Sequence, residues 1–201
     1  MTPVTEPSEE NGTDRPGPYT VDSLSHDLRA LGLTSGATVL VHSSLSALGY
    51  VTGGARAAVM ALVETLGRSG TLVVPTHSGE LSDPRNWVHP PIPESWWPTV
   101  RKYLPAYDAH LTPTRRMGAI AEMVRQWPGA QRSAHPRVSF CAVGPNAQFI
   151  TDNHGLANGF DERSRCNRAH FSVPSHVALL TELFDPTSAG RPFRVSSPAA
   201  E

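Results

Sequence analysis

Residues 37–75 read ATVLVHSSLSALGYVTGGARAAVMALVETLGRSGTLVVP, and this stretch decides the fold. Ala37–His42 and Thr71–Pro75 are short, apolar and rich in β-branched residues, which is typical of buried strands. Between them, a glycine-containing loop leads into Ala55–Gly67, where apolar residues recur at helical spacing. A strand, a helix and a second strand in this order predict a right-handed βαβ unit in a parallel sheet.

The flanking sequence predicts further elements of one mixed α/β domain. Periodic apolar residues and short apolar runs predict helices at Thr20–Gly32, Met117–Trp127 and Pro145–Thr151, a strand at Val138–Val143, and a short helix at Ser175–Phe184. Residues 78–116 are crowded with Pro and Trp and predict a long structured loop, which is usually functional.

The chain divides into a leader, a domain and a tail. Residues 1–18 are acidic and Pro-rich without an apolar stretch, so we expect a disordered leader that is neither a signal peptide nor a membrane span. We assign residues 19–164 to the α/β domain and residues 165–201 to a tail of different character. The length of 201 residues suits one such domain.

The composition points to a small-molecule partner in the cytoplasm. With 17 Lys and Arg against 18 Asp and Glu, the net charge of -1 gives no general attraction to nucleic acid or to anionic membranes. Cys141 and Cys166 form no CxxC pair and are too few for a disulfide framework, which fits a reducing compartment.

The first candidate site follows the strand at Ala37–His42. His42, Ser43, Ser44 and Leu45, with the Gly53-Gly54 turn, place hydroxyls and a helix N-terminus where open α/β sheets bind ligands. Such a place suits phosphate or pantetheine. The alternative is an ordinary strand-to-helix turn, and the stretch is neither a Walker A loop nor a GxGxxG fingerprint.

A second candidate lies at residues 132–136, RSAHP. His135 precedes a proline, which favours an extended conformation, so it could act as a general base, as a hydrogen-bond donor, or simply as a cap on the next strand. Residues 112–118, TPTRRMG, offer a helix start with Arg115 or Arg116 for an anion, or only a capped helix with solvated charges.

The long loop holds candidates for a cationic ligand. Glu80 and Asp108 could attract such a ligand, and Trp97 belongs to a Trp- and Pro-rich segment that could form an apolar wall or plain packing. Nine histidines also suggest a metal-dependent hydrolase, but neither HExxH nor a paired-His motif is present, so we assign no metal ligands.

Five segments together resemble the aminoglycoside 3-N-acetyltransferase family. They are VLVHSSLSALGYVTGGA, GTLVVPTHSGELSDPRNW, PPIPESWW, LPAYDAHLTPTRRMG and RSAHPRVSFCAVG, in this order, and the resemblance covers approximately residues 20–164. It implies a mixed α/β fold unrelated to the GNAT acetyltransferases, in which acetyl-coenzyme A and a cationic aminosugar antibiotic meet in one cleft.

The same resemblance assigns provisional sites. It implies that His42, Ser43, Ser44, Leu45 and the Gly53-Gly54 turn line the coenzyme site, and that Ser133 and His135 lie close by. It also implies that Glu80, Trp97 and Asp108 belong to the acceptor side. The expected chemistry is direct attack of the acceptor amine on the thioester carbonyl, with a general base and oxyanion donors. A homodimer is left open.

The resemblance stops near Ser164. Where the family continues with Gly-Glu-x-Ser-Pro-Leu, this chain has FDERS at residues 160–164, and the later Thr-x-Leu-His-x-x-Glu element, which is thought to supply the catalytic His and Glu, has no match. We therefore expect a C-terminally truncated member with no assignable catalytic residue, for which a reading-frame change near Ser164 is one explanation. Three functions stay open: a working acetyltransferase, a catalytically impaired member that at most binds coenzyme A, and the metal-dependent hydrolase.

Overall fold

A computed structural model describes residues 17–154 together with the backbone of residues 177–181 and 194–196. The predicted leader lies almost wholly outside these residues, as does most of the tail. Five helices and six strands follow in the order α1 Val21–Ala30, β1 Thr38–His42, α2 Gly54–Leu66, β2 Thr71–Pro75, α3 Trp97–Tyr103, α4 Gly118–Arg125, β3 Gln131–Arg132, β4 Phe140–Val143, α5 Ala147–Asn153, β5 Val177–Thr181 and β6 Arg194–Ser196.

The βαβ prediction for residues 37–75 is confirmed. β1 and β2 pair in parallel from Thr38 opposite Thr71 to Leu40 opposite Val73, with α2 as the connection. The six strands form one mixed sheet in the order β3-β4-β2-β1-β5-β6, in which β4 runs antiparallel to β2. The structure therefore confirms the mixed α/β class.

Alternation along the strands divides the core between two faces of the sheet. Val39, Val41, Leu72 and Val74 point to the face covered by α1, α2 and α4. Their neighbours, such as Val73, point to the opposite face, where they pack with Ile150 of α5. Because side chains alternate in direction along a strand, apolar runs without polar interruption are needed to cover both faces.

The first helix shows how local sequence sets an element. Thr20 caps α1: its hydroxyl accepts from Ser23 N at 3.2 Å, and its own N–H donates to Ser23 Oγ at 2.9 Å. This reciprocal arrangement satisfies two N–H groups at the start of the helix. Leu24 and Leu28, one turn apart, are then fully buried in the core.

The short helix predicted at Ser175–Phe184 is wrong where the structure describes it. Residues Val177–Thr181 form β5, which pairs in parallel with β1 from Thr38 opposite Val177 to His42 opposite Thr181. The run VALLT is apolar and too short to show a period, so the free edge of β1 decides its conformation.

The long loop agrees with its prediction. Within residues 78–116 the regular structure is limited to single 3-10 turns at Gly79–Leu81, Pro84–Asn86 and Glu94–Trp96, and to the seven residues of α3. None of the helices in the described part of the chain is long and apolar enough to cross a membrane.

Candidate functional site

Two parallel strands end at the same edge of the sheet and deliver polar residues there. His42 is the last residue of β1, and Thr76 and His77 directly follow β2. Since β1 and β2 pair in register, the residues after each strand lie side by side. The coenzyme site predicted at His42 therefore has a neighbour, His77, that the sequence analysis did not single out.

The loop after β1 forms the first wall of this edge. Ser43, Ser44 and Leu45 are partly buried, and Ser44 and Ser46 share a hydrogen bond of 2.9 Å between their hydroxyls. At the far end of the loop Gly53 adopts φ 89° and begins α2 without a side-chain cap. An uncapped helix start presents N–H groups that suit an anionic or carbonyl ligand.

Gly118 of α4 closes on this loop from another part of the chain. It has φ 83°, and a Cβ at this position would lie 3.4 Å from Ser43 O. Glu122 turns back to accept from Thr114 N at 3.0 Å and so holds the approach to the helix. The predicted helix start at residues 112–118 is thus brought against the predicted coenzyme loop.

Ser133 has a buried, structural position. Its side chain is 1% exposed, its Oγ accepts from Phe140 N at 3.0 Å, and it lies 2.9 Å from Nδ1 of His154. The hydroxyl therefore fixes the ring of His154. Ser133 lies at the predicted edge, but its side chain faces the interior.

His135 has its proton placed by the backbone. Its Nδ1 accepts from Arg137 N at 3.2 Å and from Val138 N at 3.0 Å, so the hydrogen of the neutral ring is on Nε2. Of the roles left open by the sequence, this geometry favours a hydrogen-bond donor over a general base acting through Nδ1.

His42, His77, His135 and His154 form what we call the histidine cluster, which is built around Phe140. Ring centroids are 5.8 Å apart for His135 and His154, 5.0 Å for Phe140 and His154, and 5.5 Å for Phe140 and His77. His42 interacts electrostatically with His77. Four elements thus bring imidazole rings to one edge.

Desolvation keeps the histidine cluster neutral. Burial is the largest cause that lowers the pKa of His77, His135 and His154, and for His154 it reduces the pKa to about 4. His42 is exposed at the strand end, yet surrounding protein atoms desolvate its ring enough to lower its pKa as well. Near neutral pH the cluster supplies uncharged donors and acceptors.

The predicted acceptor residues lie on the long loop in different environments. Oε2 of Glu80 and Nε1 of Trp97 are both buried without a hydrogen-bond partner among the described residues, and the Arg101 guanidinium lies 5.6 Å from the centroid of the Trp97 ring. Asp108 is exposed, and its Oδ1 accepts from His110 N and Leu111 N, each at 2.8 Å. Asp108 thus already caps a turn of its own loop.

A metal centre has no ligand set in this part of the chain. Across residues 17–154, no three His, Cys, Asp or Glu side chains are grouped so that they could hold a metal ion. Of the four rings of the histidine cluster, those of His77 and His154 contact the ring of Phe140. No observation at this edge favours the hydrolase hypothesis.

A model of the aminoglycoside 3-N-acetyltransferase family matches residues 40–180, and the chain belongs to this family. The SPbeta prophage-derived aminoglycoside N(3')-acetyltransferase-like protein YokD of Bacillus subtilis is 46% identical over 169 residues, which are 84% of this chain and 62% of YokD. The chain therefore spans less than two thirds of the length of this relative.

Solved structures show the same fold. The crystal structure of YokD matches with a TM-score of 0.68 and 49% identity over 70% of this chain and 52% of that one. AAC-IIIb, solved as a binary complex with CoASH, gives a TM-score of 0.58 at 30% identity, covering 70% of this chain and 51% of that one. AAC-VIa bound to sisomicin gives 0.62 at 29% identity, covering 82% of this chain and 60% of that one.

Proposed function

We propose that this chain takes part in the transfer of an acetyl group from acetyl-coenzyme A to the 3-amino group of an aminoglycoside. The observation that carries the proposal is that four family segments, far apart in sequence, meet at one sheet edge. Ser78 of the second strand end bonds the RSAHP segment, with its N–H to Arg137 O at 3.0 Å and its hydroxyl to Pro136 O at 2.8 Å. Ser43 of the first strand end meets Gly118.

The coenzyme is assigned to the side of this edge formed by the loop after β1. His42, Ser43, Ser44 and Leu45, with Gly53 and Gly54 at the start of α2, offer hydroxyls and uncapped N–H groups. Ser133 and His135 border the same edge, with Ser133 acting through His154. A relative of the same fold was solved with CoASH, which supports coenzyme A as the ligand.

The acceptor is assigned to the long loop. Glu80 has a carboxylate oxygen without a partner among the described residues, which suits an ammonium group, and Trp97 offers an indole N–H for a hydroxyl. A relative solved with sisomicin supports a polyamine in this family. Asp108 adds negative charge at the surface of the same loop.

The reaction is a displacement at the thioester carbon. The neutral amine forms the C–N bond, the C–S bond breaks, the thiol of coenzyme A leaves, and the nitrogen loses a proton to a base. Neutral imidazole N–H groups at this edge can hold the oxygen that becomes negatively charged. We assign no residue as the base. Domain bounds of 19–164, a homodimer and a cytoplasmic location remain predictions.

Thiol release from acetyl-coenzyme A tests the proposal on the 201-residue chain. A panel including sisomicin should release thiol above the rate without acceptor, and calorimetry should detect binding of coenzyme A. Binding without release would identify a coenzyme-binding protein that does not turn over, the second function open from the sequence. Absence of both would refute the proposal.

Glu80 gives a specific prediction for the acceptor. We expect Glu80→Gln to weaken sisomicin binding about tenfold, because a charge-assisted hydrogen bond to an ammonium group is lost. Affinity for coenzyme A should be unchanged. Calorimetry with each ligand separates the two effects. Glu64→Gln, an equal charge change at an exposed position of α2, is the matched control and should leave both affinities intact.

A further inference from the structure

His77 carries a ring nitrogen that has no partner among the described residues. Its Nε2 is buried and has no hydrogen-bond partner within the described residues. The ring stands edge-on to Phe140, at 81° between the ring planes, in contact with an apolar group. Buried polar atoms are nearly always paired, and an unpaired one costs free energy. An atom of this kind therefore needs an explanation outside the packing of the fold.

The position of His77 indicates which ligand pairs with its Nε2. The residue directly follows β2 at the carboxyl edge of the sheet, beside His42 at the end of β1. Its other electrostatic neighbours are His135 and Arg137 of the RSAHP turn. Both flanking elements belong to the proposed coenzyme site, whereas Glu80 and Trp97 of the acceptor side lie further along the loop. The nearest ligand group is therefore part of coenzyme A.

The charge state of the His77 ring indicates which chemical group of the ligand it binds. Burial is the first cause that lowers the pKa of His77, and His42, His135 and Arg137 lower it further. A neutral imidazole among groups that resist another positive charge suits a neutral amide or carbonyl. A phosphate would be better served by a cation. In coenzyme A the amide and carbonyl groups lie in the pantetheine arm and, after acylation, at the thioester.

We propose that Nε2 of His77 forms a hydrogen bond with an amide or thioester carbonyl group in the acyl-pantetheine arm of acetyl-coenzyme A. This inference rests on the proposed function and adds a binding residue that neither the family resemblance nor the sequence analysis assigned. The residue as a whole is partly exposed at this edge of the sheet. Binding then satisfies an atom that the described residues leave unpaired.

Three substitutions in the 201-residue chain test the assignment by calorimetry with acetyl-coenzyme A. His77→Phe removes the unpaired nitrogen and keeps an aromatic ring, so the affinity should fall about five- to tenfold. The midpoint of thermal unfolding should hold or rise by about 2–4 °C, because no buried polar atom is left unpaired. If His77 only supported the fold, His77→Phe would not lower the affinity while keeping or raising the unfolding midpoint.

Substitution of His77 by glutamine and by asparagine gives a matched pair of variants. This pair tests the assignment even if the fold does not accept phenylalanine at position 77. The amide nitrogen of Gln can occupy the place of Nε2, so His77→Gln should bind within about threefold of the unsubstituted chain. The shorter Asn reaches only the place of Nδ1, so His77→Asn should show the same loss as His77→Phe. Equal affinity for the Asn and Gln variants would overturn the assignment.

The remaining outcomes separate this inference from the proposed function. If the unsubstituted chain binds acetyl-coenzyme A and His77→Phe binds equally well, the His77 contact is wrong while the proposed function stands. If the unsubstituted chain shows no binding, both are overturned. A loss of binding in His77→Phe that parallels a lower unfolding midpoint, with Gln no better than Asn, assigns His77 to the fold alone.

Discussion

Replacing Arg132 with methionine is expected to lower the free energy of unfolding by about 4 kcal/mol, because a half-buried guanidinium joins three parts of the chain. Its Nε donates to Thr76 Oγ1 at 3.2 Å and Ser139 Oγ at 3.1 Å, and its Nη2 donates to Thr76 O at 2.6 Å. Its Nη1 donates to the carbonyls of Ala109 and Thr112 in the long loop. Methionine fills a similar volume but cannot donate to any of these acceptors.

The same contacts explain why lysine should restore only part of the loss. An ammonium group is a point charge and cannot reach acceptors on the strand end and the loop with one planar fork. The guanidinium also lies 5.1 Å from the centroid of the Tyr107 ring, and Tyr107 Oη donates to Ser133 O at 2.8 Å. We therefore expect Arg132→Lys to lie between the methionine variant and the unsubstituted chain.

Urea denaturation at constant pH measures these free energies. Arg137→Met is the matched control, since Arg137 is an exposed arginine on the same segment, and its change should stay within about 0.5 kcal/mol. A methionine variant at position 132 that unfolds at the same urea concentration as this control would show that the loop and the strand end are held by other contacts.

Local sequence patterns were sufficient to predict the part of the fold formed by residues 37–75. The βαβ unit at residues 37–75 could be predicted because each element carries its own period and its own boundary residues. The strand β5 could not, because VALLT has no period of its own and pairs with β1 across more than a hundred residues of chain. Long-range pairing is invisible in a single local window.

In the candidate site, too, some residues could be predicted from the sequence and others could not. His77 could have been found, because the rule that pointed to His42 at one strand end applies equally to the end of β2. His154 carries no such signal: it ends α5 and reaches the site only because Ser133 Oγ holds its Nδ1 at 2.9 Å. Asp108 is the opposite case: the sequence analysis selected it for its charge, but its carboxylate accepts hydrogen bonds from His110 N and Leu111 N of its own loop.

Acid should destabilise this chain before its carboxylates begin to titrate, and His154 is the main cause. Burial, followed by the neighbouring His135 and His77, lowers the pKa of His154 from 6.5 to about 4. Between pH 6.5 and about pH 4 the unfolded chain binds a proton at this residue and the folded chain does not, so the unfolding free energy decreases as the pH falls. The contribution is fully present above pH 6.5 and is lost toward pH 4.

The size of the effect follows from the shift and from the exposure of the ring. A change from 6.5 to about 4 would correspond to about 3.4 kcal/mol for a fully buried group. The ring is only partly buried, so solvent screening reduces this to about 2 kcal/mol. The lowered pKa values of His77 and His135 act in the same direction. Protonated rings would lie close together in the histidine cluster, because His135 and His154 have ring centroids 5.8 Å apart and both His77 and His154 contact Phe140.

His154→Asn isolates this contribution, because an amide can still pair with Ser133 Oγ but does not titrate. Unfolding free energies from urea curves between pH 7.5 and pH 4.5 should fall by about 2 kcal/mol more in the unsubstituted chain than in the variant. Carboxylates act at lower pH: burial raises the pKa of Glu122, but hydrogen bonds from Arg125, Thr114 and Gln126 together lower it from 4.5 to about 2, so its contribution is lost only as the pH falls from 4.5 toward 2. Parallel pH curves for the two proteins would show that the ring of His154 takes up its proton as readily in the folded chain as in the unfolded one. The stability loss would then have to come from the other three rings of the histidine cluster.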